Sequence, residues 1–295
     1  MVLFMYLFSF TGSSQEVNRF ISGEKNLITI CNKLWKLKDD SSRIQTNRVL
    51  VDSLELLLHA EGSYDYSFDS LNGISRLFSD DRLFRIITWN IPLNNNHFKY
   101  FGFIQMKNGR IYRLEEKEEL NNNWQNGCLG PDVWYGAIYY ALITERYKRK
   151  SYYTLIGWDG YNASSNLKVI DILSFGEDGS PVFGGPVFKT PEGLKNRVII
   201  EYAESGNATV RYDYQALLLK KGKRNKEIWD HMIVMDHLIP TDPAMEGERH
   251  TYVPSGDQYD GFIFQEGFWK FVENISVRNA SSQNQNRAKS HIISK

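Results

Sequence analysis

The sequence predicts an α+β protein that is mainly β: a small helical segment leading into an antiparallel, meander-type sheet, a sandwich or a barrel. Three observations predict it. Aromatic residues are 14% of the 295, and with many Asn and Gly they favour strands joined by turns over a helical bundle. Between residues 16 and 81 the apolar positions recur at near-helical spacing. From Arg82 onward bulky residues return every second position, the period of a strand with one buried flank.

Residues 1–15 read as a signal peptide or its remnant. Residues 2–10 are apolar apart from Ser9, small residues fill 11–14, and the first charge is Glu16. A block this short is no bilayer-crossing helix, but it has the apolar centre and small-residue flank of a secretory signal, without the basic start. A buried strand would use the same residues.

Residues 16–81 form a helical N-terminal segment. Across 42–59, Ile44, Val49, Leu50, Leu54, Leu57 and Leu58 describe one amphipathic helix, with a shorter one around 27–37, and Gly62 and Gly73 end the pattern.

Residues 82–273 are the β-rich domain. "RLFRIITWNI" and "HFKYFGFIQM" flank a Pro/Asn loop at 92–96 and read as a hairpin. "YYTLIGWDGYNASSNLKVIDIL" reads as a second, with Tyr152, Thr154, Ile156 and Trp158 on one face and Val169, Asp171 and Leu173 on the partner. "RVIIEYAESGNATVRYDYQ" reads as the clearest hairpin, Val198, Ile200 and Tyr202 against Val210, Tyr212 and Tyr214 across a Ser205-Gly206 turn. Residues 274–295, rich in Asn, Gln and Ser, read as a disordered tail.

Charge narrows the partners. Thirty-five Lys plus Arg balance 35 Asp plus Glu, so no long-range field gathers nucleic acid or an anionic surface. Past residue 10 nothing approaches membrane-spanning length, so no transmembrane span is expected in the mature chain. Two cysteines, Cys31 and Cys128, read as free buried thiols, and no metal or cofactor is expected. The G-x-S-x-G, H-E-x-x-H, P-loop and G-x-G-x-x-G patterns are all missing.

Two sets of residues are candidates for function. Trp158 and Asp159, with Trp89, Trp134 and Tyr135, would offer aromatic planes and a carboxylate to a polysaccharide, a peptide or an envelope protein. Asp159, Asn162 and Asn166 miss the alternating spacing of a calcium loop. The second set lies in the Asp/His-rich stretch after residue 236. His231 and His237 stand about 20 Å apart along one strand, so they cannot share an ion. His237, Asp242 and His250 are the set a hydrolase would use, with a histidine as base or ligand. The noncatalytic binding role is the preferred reading, and the hydrolase is the alternative.

The segments "WYGAIYY", "YYTLIGWDGYN", "VIIEYA" and "DHLIP", followed by "YVPSGDQYDGF", resemble a group of exported bacterial proteins with a helical N-terminal part and a β-rich remainder. The similarity spans residues 53–271. It implies a periplasmic or cell-envelope setting and brings no catalytic residues with it.

Overall fold

In the computed structural model, residues 11–116, 127–221 and 224–275 are described. The apolar block 2–10 and the tail from 276 lie outside them. Two helices open the chain, α1 (Thr11–Leu34) and α2 (Asp40–Leu58). Asp39 starts α2 by accepting from the Ser42 backbone N–H at 2.8 Å, which satisfies one of the donors a helix leaves unpaired at its first turn. Residues 11–15, read as part of the export segment, are the first turn of α1.

Sheet I follows: β1 (Ser75–Phe78), β2 (Phe84–Pro92), β3 (Phe98–Met106) and β4 (Ile111–Glu115), an antiparallel meander in that order. The β region thus begins at Ser75, earlier than the expected 82, because β1 is a half-buried four-residue strand too short to show a period of two. Next come β5 (Ile138–Tyr147), β6 (Lys150–Asp159), β7 (Ser165–Phe175) and the short β8 (Pro181–Phe183). After these run β9 (Phe188–Thr190), β10 (Gly193–Lys195), β11 (Arg197–Ala203), β12 (Val210–Lys221), β13 (Arg224–Pro240), β14 (Tyr252–Gln265) and β15 (Phe268–Val272). Sheet II has the order β11-β7-β6-β5 with β8 on β7, and sheet III the order β10-β9-β15-β14-β13-β12. Among these pairs only β15 with β9 is parallel.

Burial fixes the stacking as helices, sheet I, sheet II, sheet III. On β2, Ile87, Trp89 and Ile91 pack with Leu50, Leu54 and Leu58 of α2, while Phe84 and Ile86 face sheet II. On β6 and β7, Leu155, Leu167, Val169 and Leu173 face sheet I, and Ile156, Ile170 and Ile172 meet Phe188, Val210, Ile233, Phe262 and Trp269 of sheet III. Sheet II is therefore covered on both faces, which is why "VIDIL" is apolar nearly without interruption. No barrel closes, since each sheet ends its own strand order and is covered by the next layer.

The helix layer is tied down by polar contacts as well. Arg85, wholly buried, donates to Gln105 Oε1 at 2.7 Å and to the backbone carbonyls of Tyr66 and Ser63. Gln105 in turn donates to the Leu58 carbonyl at 2.8 Å, one of those left over at the end of α2.

Two of the expected hairpins form, β2 with β3 and β6 with β7. The third does not. β11 pairs with β7 and β12 with β13, so the chain changes sheets at residues 204–209. Val198, Ile200, Val210 and Tyr212 do belong to one core cluster, but that cluster lies between two sheets instead of along one hairpin. Two residues of the expected tail, Asn274 and Ile275, are described: Ile275 is buried against sheet III and its N–H donates to the Tyr259 carbonyl at 2.7 Å.

Candidate functional site

The helix pair covers most of the outer face of sheet I but leaves β4 partly open. A groove of about 490 Å³ runs there between α2 and the β3–β4 face, a size suited to a small ligand or a segment of a polymer. Alternation along β3 sends Lys99, Phe101 and Phe103 to the helix side, and Arg113 and Glu115 follow on β4, because Phe103 pairs with Arg113 and Phe101 with Glu115. The half-buried Phe101 ring, stacked 5.9 Å from Trp89, lies on the floor. Asn47 stands on the α2 wall. Trp89 Nε1 can only donate, so the atom it meets at 2.8 Å must be the Asn47 carbonyl oxygen, which fixes the direction of the amide. Arg113 reaches across to α2, where it pairs with Asp52 at 3.3 Å and with Glu55. The charges lining the groove are three cations, Arg48, Lys99 and Arg113, against three anions, Asp52, Glu115 and Glu116.

Behind this wall sits a half-buried carboxylate. Asp159, the last residue of β6, accepts from the Tyr100 hydroxyl at Oδ1 and from the Tyr135 hydroxyl at Oδ2, both at 2.9 Å. The Tyr100 oxygen itself accepts from the Gly160 N–H at 2.8 Å. A Cβ on Gly160 would run into the Phe98 and Trp158 rings, so only glycine lets the chain pass here. Burial pushes the Asp159 carboxyl up to about 6, against the pull of the two phenols, and burial likewise drives both tyrosines well above their usual range. The cluster touches the groove through one residue: the Tyr100 backbone N–H donates to Glu116 Oε2 at 2.8 Å, and both Tyr100 and Glu116 line the groove. Gly136, beside Tyr135 with φ +85°, lies so close under the Glu116 carboxylate that a Cβ would come within 2.9 Å of it.

A second aspartate, fully buried, lies on the same side of sheet II. Asp171 and Arg197 are opposite each other on β7 and β11, joined at 3.0 Å with no exposed side-chain surface on either. Asp171 Oδ1 also accepts from the Ile172 N–H at 2.8 Å.

The fold treats the expected site residues unequally. It brings Asp159 and Tyr135 into one cluster, with Trp158 half-buried beside them and edge-on to Phe98 at 5.4 Å. Trp89 and Trp134 are corrected to core residues: both are fully buried, and the Trp134 indole N–H donates to the Tyr139 hydroxyl at 3.1 Å, so neither offers a plane to a ligand. No hydrogen bond or ion pair among the described residues joins His237, Asp242 and His250 to one another. His237 Nδ1 meets Asp260 Oδ2 at 2.6 Å, Asp242 caps a short turn by accepting from the Ala244 N–H at 2.9 Å, and His250 lies 3.7 Å from Glu248. Asn162 serves its own turn, accepting from the Ser164 and Ser165 N–H groups. Among the described residues no group of three or more His, Cys, Asp or Glu is placed to hold a metal ion. Both cysteines are free; Cys31 is buried, with its thiol pushed to about 11, whereas Cys128 is exposed.

Sequence reasoning missed Tyr100, Phe101, Arg113 and Glu116. The one signal that could have found them is Lys99, a cation in the row of β3 that otherwise faces inward.

The fold and site define a class: a helix-capped stack of three sheets with a charge-balanced groove on its first sheet. No family model, curated protein or solved structure matches the chain.

Proposed function

We propose that this is an exported protein of the periplasm or cell envelope with a noncatalytic binding role, and that its groove holds a neutral segment of polysaccharide. The observation that carries this reading is the groove's lining. Three positive and three negative side chains cancel, which gives no preference for a charged ligand, while Phe101 offers the face of an aromatic ring. That face is the negative part of the ring quadrupole and suits the polarised C–H bonds of a sugar. Glu115 and Lys99 around it are an acceptor and a donor for hydroxyl groups. Export is supported by the apolar block at 2–10 and the small residues after it.

Titration calorimetry of the full chain against neutral and acidic oligosaccharides tests the binding role. Binding of a neutral oligosaccharide, weakened about tenfold by Phe101→Ala, is expected. Absence of binding to every neutral oligosaccharide, or binding indifferent to Phe101→Ala, defeats it. Mass spectrometry of the native protein from fractionated cells tests export: a chain cleaved near Ser14 in the envelope fraction is expected, and an intact chain in the cytoplasm overturns it.

A further inference from the structure

Among the described residues, Tyr100 belongs both to the groove and to the Asp159 cluster. Its backbone N–H holds Glu116 on the groove wall, and its hydroxyl holds Asp159 between sheets I and II. Tyr135 closes the circuit, since its hydroxyl reaches the other Asp159 oxygen and its neighbour Gly136 supports the Glu116 carboxylate. We propose that Tyr135, Asp159 and Tyr100 form a proton-operated latch on the groove, closed when the Asp159 carboxyl is ionised and slack when it carries a proton.

This inference rests on the reading of the groove as the binding site. The chemistry of the latch follows from hydrogen-bond direction. An ionised carboxylate only accepts, so both phenols donate to it and both bonds are charge-assisted. A protonated carboxyl must donate at one oxygen. Whichever phenol takes that proton, its bond to Asp159 reverses direction. Both bonds lose their charge assistance, and the wall that Tyr100 and Gly136 hold in place loosens at Glu116.

The groups around Asp159 leave it alone in this role. From β3 it faces Tyr100, and from the connection before β5 it faces Tyr135, which has Tyr139 of β5 near it. From β2 the buried Asn90 amide nitrogen approaches the Tyr100 phenol without closing a hydrogen bond. Glu116, at the end of β4, reaches Tyr100 from the far side. Among the described residues no Lys, Arg or His acts on the Asp159 carboxyl, so no fixed cation locks it in its ionised state. Its position near pH 6 places the change within reach of ordinary variation in an exposed compartment.

The test needs no ligand. The full chain, labelled with ¹³C at the aspartate carboxyls, is titrated by NMR while exchange of the Tyr100 amide is followed relative to its intrinsic chemical rate. Expected are an Asp159 midpoint near 6 and a rise of about tenfold in Tyr100 amide protection through the same midpoint. Asp159→Asn removes the step. Tyr135→Phe takes one donor from the ionised form, so it moves the midpoint upward, and it carries the test if Asp159→Asn does not fold. An Asp159 midpoint near 4, a Tyr100 amide without a step, a step that survives in Asp159→Asn, or a midpoint unmoved in Tyr135→Phe overturns the latch. Neutral oligosaccharide binding equal at pH 5 and 7.5 also overturns it and leaves the groove reading standing. A titration step without any oligosaccharide binding does the reverse.

Discussion

Asp159 and Asp171 lie on one side of one sheet, both turned toward sheet I, and the fold handles them in opposite ways. Asp171 has Arg197 directly across the ladder, and burial, which pushes its carboxyl up, is opposed by a guanidinium at 3.0 Å. Asp159 has two phenols and no cation acting on it. A charge with a buried partner is a fixed rivet, costly to form and more costly to break. A charge held by neutral donors exchanges its proton near the pH of its surroundings. The middle of the sheet is thus made permanent, while its end, next to the groove, stays responsive.

Breaking the rivet should produce the largest effect. Asp171→Ala takes the carboxylate away from the buried Arg197 guanidinium, which keeps the Gly127 carbonyl at 3.4 Å, and is expected to lower stability by about 3–5 kcal/mol in urea unfolding. A loss near 1 kcal/mol would mean that the two aspartates differ less than their partners suggest.

Asp159→Asn sharpens the contrast by having the opposite sign. The folded carboxyl titrates near 6 and the unfolded one near 3.8. Below about pH 3 both states are protonated and the group imposes no penalty. Between 4 and 6 the unfolded chain releases a proton that the folded one keeps, so stability falls as pH rises, by about 3 kcal/mol in total. Asp159→Asn is therefore expected to be up to about 3 kcal/mol more stable than the parent at pH 7.5 and equal to it below about pH 3. Urea unfolding across that range checks the difference, and a gain independent of pH would contradict it.

His237→Ala should do least. Its side chain is 39% exposed, so its contact with Asp260 is screened by water and the expected loss is under about 1 kcal/mol at any pH. A loss of several kcal/mol in thermal unfolding would give the His237–Asp260 pair a weight comparable to the interior pair.

Much of the fold was legible in local pattern. Leu50, Leu54, Leu57 and Leu58 mark α2, and the alternation in "RLFRIITWNI" and "HFKYFGFIQM" marks β2 and β3, because periodicity records which flank of an element leaves water. The same rule misled at residues 197–215. Val198 and Val210 each carry the mark of a buried flank, but a neighbour in the ladder and a neighbour in the next layer bury that flank equally well. Aromatic residues were ambiguous for a similar reason: Trp89, Trp134 and Trp158 look alike as letters, yet two are sealed in the core and one is half-exposed.

By itself the sequence determined the type and approximate extent of most elements, the absence of a strong net field, and the presence of Asp159 at the end of a strand. Only the tertiary structure decided that Asp159 meets Tyr100 and Tyr135, that Asp171 meets Arg197, and that α2 leaves β4 partly uncovered. The physical reason is range. Side-chain periodicity is set by bonds between near neighbours, whereas the partners of the Asp159 carboxylate come from segments 24 and 59 positions away, at Tyr135 and Tyr100, and are chosen by how whole layers stack.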